Sequence, residues 1–321
     1  MNIIQQNEGS DIYSKILSDS TLREKLVNNI LDFVKKYEFN GIELYWDFST
    51  QAAKGSSDKA NFVLLLKALR EKFDKESLIL SVAVAKREAI AKLSYDVKGI
   101  STHANFINLM TYNFHNSFDA DKKVGANAPL YPSSKENAEN QKLNIDSVVT
   151  FWLSQDAPPE KLILAIPFSG NNYTLADPKQ FGRGAPFVNA ENPGGTFNSR
   201  PYYKICPLEK NPKWKSLYDN EQKVPYLYQG NKIVSYDNVK SIKEKAIYVK
   251  TKNLGGVVVQ YINFDDTREK WTGSDIRLLE HDRTFNLRLN ARLFHMHTYL
   301  HTESTDSSLP LLPPNLTGSL Q

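Results

Sequence analysis

The segment FNGIELYWDF, residues 39–48, sets Glu43, Tyr45 and Asp47 two apart. On an extended strand alternate side chains share a face, so these three point the same way. Two carboxylates on one face, with a phenol between them, suit proton transfer. A positioned carboxyl group can give or take a proton. The plainer role for an inward carboxylate such as Glu43 is that of a structural hydrogen-bond partner. Other chemistries lack their signatures. His103 and His115 are isolated, and His281, His295, His297 and His301 lie late in the chain. His295 and His297, two apart, do not share a helix face. No phosphate-cradling loop, Cys/His zinc spacing or serine-centred elbow occurs, so no metal or cofactor is expected.

The elements that must position these residues are legible from periodicity. Leu22, Leu26, Ile30, Phe33, Val34 and Tyr37 recur at helical steps, predicting a helix over 19–37 capped by Ser20. A second helix is expected over about 58–75, with Phe62, Leu65, Leu66, Leu69 and Phe73 inward. Others are expected near 144–155 and 238–252. Five apolar runs read as buried strands: 39–46, 78–84, 106–112, 162–167 and 257–262. Buried strands alternating with helices predict a parallel sheet covered by helices, or a barrel. The Gly-, Pro-, Asn- and Tyr-rich stretch 168–237 breaks that rhythm and reads as a small α+β insertion, with a hairpin turn at Gln229-Gly230-Asn231. The expected organisation is a barrel part over 1–167, the insertion over 168–237, a second barrel part over 238–301 with a final helix over 274–299, and a disordered tail over 302–321.

Bulk properties set outer bounds. The chain has 321 residues, 40% hydrophobic and 24% charged, with a net charge of +4. That mild charge, without a Lys/Arg block, gives no reason to expect nucleic acid as a partner. No apolar run reaches the ~20 residues of a membrane span, so no membrane partner is expected. The opening MNIIQQNEGSDIYSKIL lacks the order of a signal peptide. Cys206 is the one cysteine, which excludes an intramolecular disulfide.

Several segments resemble, in register, the motifs of family-18 glycoside hydrolases. Residues 39–48 resemble the signature Asp-Gly-X-Asp-X-Asp-Trp-Glu that ends the fourth barrel strand. Met110-Thr111-Tyr112-Asn113-Phe114-His115 resembles the sixth-strand motif Met-Thr-Tyr-Asp-Phe-His, and Gly125–Tyr131 the loop after it. Ile166–Leu175 resembles the seventh strand and the start of the insertion, Gln222–Tyr226 a segment inside it, and Gly255–Asp266 the eighth strand. The resemblance covers about residues 10–270. It implies a TIM (β/α)8-type barrel, incomplete because strands 4 to 8 are present, with an α+β insertion between strands 7 and 8. Asn7–Leu17 resembles the loop and helix after the third family strand, so the first three strands are expected to be missing, as in a truncated product or gene model. Cys206 stands where the family has a disulfided cysteine.

The resemblance also implies a chemistry, and this chain departs from it. In family 18 the substrate's own N-acetyl group acts as nucleophile. The protein supplies a general acid, at position 47, and an aspartate that orients and charge-stabilises the acetamido group, at position 45. Here position 47 is Asp47, shorter than glutamate by roughly 1.5 Å. A displacement of about 1 Å can cost on the order of a hundredfold, and losing a general acid typically about 10²–10⁴-fold. Tyr45 is a neutral phenol that cannot balance an oxazolinium-like charge. Met110 and Tyr112 remain as substrate-binding candidates; Asn113 replaces an aspartate, and Gln260 replaces a tryptophan under the sugar ring. Trp46, Phe114, Phe118 and Tyr261 are further stacking candidates. The expectation is an inactive chitinase-like protein that binds chitin or chito-oligosaccharides. The family implies an extracellular location and, for a signalling role, an unknown protein receptor. Two alternatives stand beside it: a slow or altered chitinase using Asp47 or Glu43, and a non-functional fragment.

Overall fold

The computed structural model describes residues 2–4, 10–45, 57–116, 119, 121–189 and 199–265. Trp46, Asp47, Phe118, the late histidines, the expected final helix and the tail lie outside these residues. The chain opens with β1 (Asn2–Ile4), α1 (Ser10–Ser18), α2 (Ser20–Lys36), β2 (Gly41–Tyr45), α3 (Ser57–Asp74) and β3 (Ile79–Val84). It continues through α4 (Glu88–Ser94), α5 (Val97–His103), β4 (Phe106–Leu109), α6 (Ile145–Ser154) and β5 (Leu162–Pro167). Then come β6 (Ser169–Leu175), β7 (Phe187–Asn189), β8 (Ser199–Pro201), α7 (Tyr202–Lys210), β9 (Lys215–Asp219), β10 (Val224–Gln229) and β11 (Lys232–Ser235). α8 (Val239–Thr251) and β12 (Gly256–Gln260) follow.

The order β1-β2-β3-β4-β5-β12 makes one sheet, and every pairing in it is parallel. Its helices cover one face, as in a (β/α) barrel whose ring is incomplete among the described residues. Six strands take part, not the five expected. The addition, β1, pairs Asn2 with Glu43 and Ile4 with Tyr45. Three residues are too few to show an alternation, which is why the sequence hid it.

The register sorts the sheet into two faces. Ile42, Leu44, Leu80, Val82, Val84, Ile107, Leu109, Leu162 and Leu164 face the helices and join one core with Val27, Ile30, Val34, Phe62, Leu65, Leu66, Leu69, Phe73 and Trp152. The inner face carries Glu43, Ser81, Ala83, Asn108, Met110, Ala165, Val258 and Gln260, by the pairings Glu43–Ser81, Ala83–Asn108, Ala165–Val258 and Pro167–Gln260. Two details of α2 differ from expectation. Asp19, not Ser20, caps it, its carboxylate accepting from the Thr21 and Leu22 amides at 2.8 and 3.0 Å. Tyr37 is 47% exposed and sits at the C-cap, past the last helical residue of α2.

A second, antiparallel sheet, β7-β6-β11-β10-β9 with β8 beside β6, stands between β5 and β12 in the chain. β10 and β11 close on Gly230 and Asn231 with Gln229 opposite Lys232; Gly230 takes φ +56°, a left-handed turn conformation that glycine adopts without strain. Cys206 is buried in α7, with no second cysteine to bridge.

Candidate functional site at the mouth of the parallel sheet

Glu43 is completely buried on the inner face and accepts a hydrogen bond from Asn108 Nδ2, two strands away. A buried carboxylate needs such donors, because burial without them is costly. Asn108 was not among the candidates; a polar residue inside the apolar run FINLMTY was its signal. Two residues further along β2, Tyr45 packs into an inner cluster of Ala83, Met110 and Ala165 together with Tyr112 and Val258. The C-terminal ends of β2, β4 and β12 therefore bring Tyr45, Met110 and Tyr112 together, with Gln260 at the rim. This is the end of the strands at which barrel enzymes build their sites.

Asn113 takes φ +52°, which asparagine tolerates better than most residues. The turn aims it at an amide network. Its backbone N–H donates to Asn127 Oδ1 at 3.1 Å, and its Oδ1 accepts from Asn171 Nδ2 at 3.4 Å. Asn171 Nδ2 also donates to the His115 carbonyl at 2.7 Å, and Asn127 Nδ2 to the Ser169 carbonyl at 2.9 Å. These bonds tie the loop after β4 to the antiparallel sheet. Lys86, just past β3, donates to the Tyr112 carbonyl at 2.7 Å, so a cation stands at the mouth that the motifs did not flag.

The other aromatic candidates separate. Phe114 is fully buried in the main core and offers no face to a ligand. The carbonyl of Asn127 accepts its N–H at 3.0 Å, turning the ring inward. Tyr261 is half-buried against Phe264, ring centroids 4.9 Å apart. His115 is buried between carboxylates, with Nδ1 3.2 Å from Asp119 Oδ2 and Nε2 3.7 Å from Glu136 Oε1. Its ring leaves no room for a side chain at Gly125, where a Cβ would fall 2.1 Å from His115 Cγ. Among the described residues no cluster of three or more His, Cys, Asp or Glu could hold a metal ion, and no helix is long and apolar enough to cross a membrane.

The model of the family described as glycosyl hydrolases family 18 matches residues 4–265. The chain belongs to that family. Among family-18 relatives, mouse chitotriosidase-1 is 35% identical over 269 residues, covering 80% of this chain and 56% of that protein. Human chitinase-3-like protein 2 is 31% identical, covering 80% of this chain and 67% of that protein. The chain thus spans little more than half of the chitotriosidase. Among solved structures, the group IV chitinase of Ostrinia furnacalis in complex with allosamidin superposes with a TM-score of 0.80 at 32% identity, over 89% of this chain and 77% of that one. Human YKL-39, described as a pseudo-chitinase with retained chitooligosaccharide binding, superposes at 0.78 and 28% identity, over 87% and 77%. The family-18 fold is therefore common to this chain and to chitinases and chitinase-like proteins alike, and among the described residues this chain carries an incomplete barrel with an antiparallel insertion.

Proposed function

We propose that this chain binds chitin or chito-oligosaccharides at the mouth of its parallel sheet and does not cleave them at the rate of a chitinase. The observation that carries the reading is the environment of Tyr45. Where the family places a carboxylate beside its acid, this chain has a phenol packed among Ala83, Met110, Tyr112, Ala165 and Val258. A neutral phenol itself supplies no negative charge to steady an oxazolinium-like intermediate or to raise the pKa of a neighbouring acid. Asp47, one carbon shorter than the family's glutamate, compounds the loss. Loss of cleavage leaves aromatic and amide groups at the mouth available to a sugar, and human YKL-39 is a pseudo-chitinase that retains chitooligosaccharide binding. Retention of the folded protein on chitin beads, without release of fluorophore from a chito-oligosaccharide substrate, is the expected result. Passage through the beads unretained would overturn it.

A slow hydrolase is the second reading, favoured by Glu43, a carboxylate on the inner face of the strand that ends toward Asp47. Its complete burial and its bond to Asn108 favour a structural role instead. Fluorophore release that disappears in Asp47→Ala would establish this alternative. Extracellular action, with or without a protein receptor, belongs to the proposal by family resemblance; finding the expressed protein confined to cells would count against it.

A further inference from the structure

Gln260 closes β12 and is only 2% exposed, yet among the described residues neither Nε2 nor Oε1 of its carboxamide has a hydrogen-bond partner. Its backbone is well anchored: the residue pairs with Pro167, and its carbonyl accepts from the Phe168 amide at 2.8 Å. The backbone that carries the side chain is thus fixed, while both polar ends of the carboxamide lack a partner among the described residues. Buried polar side chains are nearly always satisfied, and an amide failing at both ends is unusual. Strand alternation puts Gln260 on the same face as Val258, which packs beside Tyr45, Met110 and Tyr112. The orphan donor and the orphan acceptor therefore share the face whose strand ends form the proposed mouth.

We infer that Gln260 is a specificity-determining ligand contact, whose carboxamide grips the edge of a sugar ring by a donor–acceptor pair. Nε2 donates to one ring substituent and Oε1 accepts from a neighbouring hydroxyl or amide N–H. A saccharide offers such adjacent groups on every ring, and a methylene-rich ligand does not. Recognition by paired hydrogen bonds reads the identity and placement of those groups, because an analogue lacking one leaves the buried amide unpaired again. The surrounding tyrosines and methionine supply apolar contact to the rest of the ring. This rests on the proposed binding of chito-oligosaccharides at the same mouth.

The test is Gln260→Met, which keeps the length of the side chain and removes the amide. Two measurements are made on the full chain, the melting temperature without ligand and the Kd for chitotetraose. The expected result is a higher melting temperature together with binding weakened about tenfold, or about 1.4 kcal/mol. A lower melting temperature would show the amide satisfied within the protein and overturn the inference. An unchanged Kd beside a wild type that binds would overturn it as well, leaving the proposed function intact. A wild type that fails to bind chitotetraose would remove both.

Discussion

Glu43 and Tyr45 differ in what their surroundings let them do. Glu43 is walled in and held by Asn108, whereas Tyr45 shares an apolar cluster with Met110 and Ala165. If Asn108 serves to hold the buried carboxylate, Asn108→Ala will lower stability by about 1–3 kcal/mol, read from chemical denaturation, and leave chito-oligosaccharide affinity within a factor of two. If the missing chemistry lies at positions 45 and 47, the double variant Tyr45→Asp with Asp47→Glu will raise turnover of a fluorogenic chito-oligosaccharide on the order of 10²-fold or more. Unchanged turnover in a folded double variant would show that the defect lies elsewhere at the mouth.

At the scale of elements, the junction between the antiparallel sheet and α8 is held by a buried ion pair. Lys245 on α8 donates to Asp237 Oδ1 at 2.5 Å, and the same oxygen accepts from Ser241 Oγ at 2.7 Å. Burial pulls the Lys245 ammonium below the usual lysine range, with Asp237 opposing that pull. Removing one partner strands the other charge, so Lys245→Ala is expected to cost about 3–5 kcal/mol, measured by urea unfolding. A loss under about 1 kcal/mol would mean that water reaches the pair, as at a surface bridge. Much of this framework was legible beforehand. The 3.6-residue recurrence of Phe62, Leu65, Leu66, Leu69 and Phe73 named the buried stripe of α3, because helix geometry allows those spacings only one face. Less legible features depend on the third dimension. The Glu43–Asn108 bond joins residues on different strands, and the amide network joins Asn113 to Asn127 and Asn171. Phe114 turned inward because a loop carbonyl holds its backbone, which spacing cannot show.

In the whole molecule the two sheets share side chains. Ile166 of β5 and Ile242 of α8 lie in one cluster with Leu227, Val234 and Tyr236 of the antiparallel part, and Val257 and Val259 of β12 pack against it. Together with the Asn113–Asn127–Asn171 bonds, this predicts that the parallel sheet and the insertion unfold together. Tryptophan fluorescence and far-ultraviolet circular dichroism should give coincident thermal transitions. Two separated transitions would show that the insertion is an independent unit.

The family fold is present here with a phenol at position 45 and an amide at position 260, and the proposed function is recognition without cleavage. Isothermal titration of the purified chain with chitotetraose tests both halves of that statement at once. The expected result is a saturable binding heat that returns to baseline after each injection. A sustained heat of hydrolysis at the pace of working chitinases, or no heat of binding at all, would contradict it.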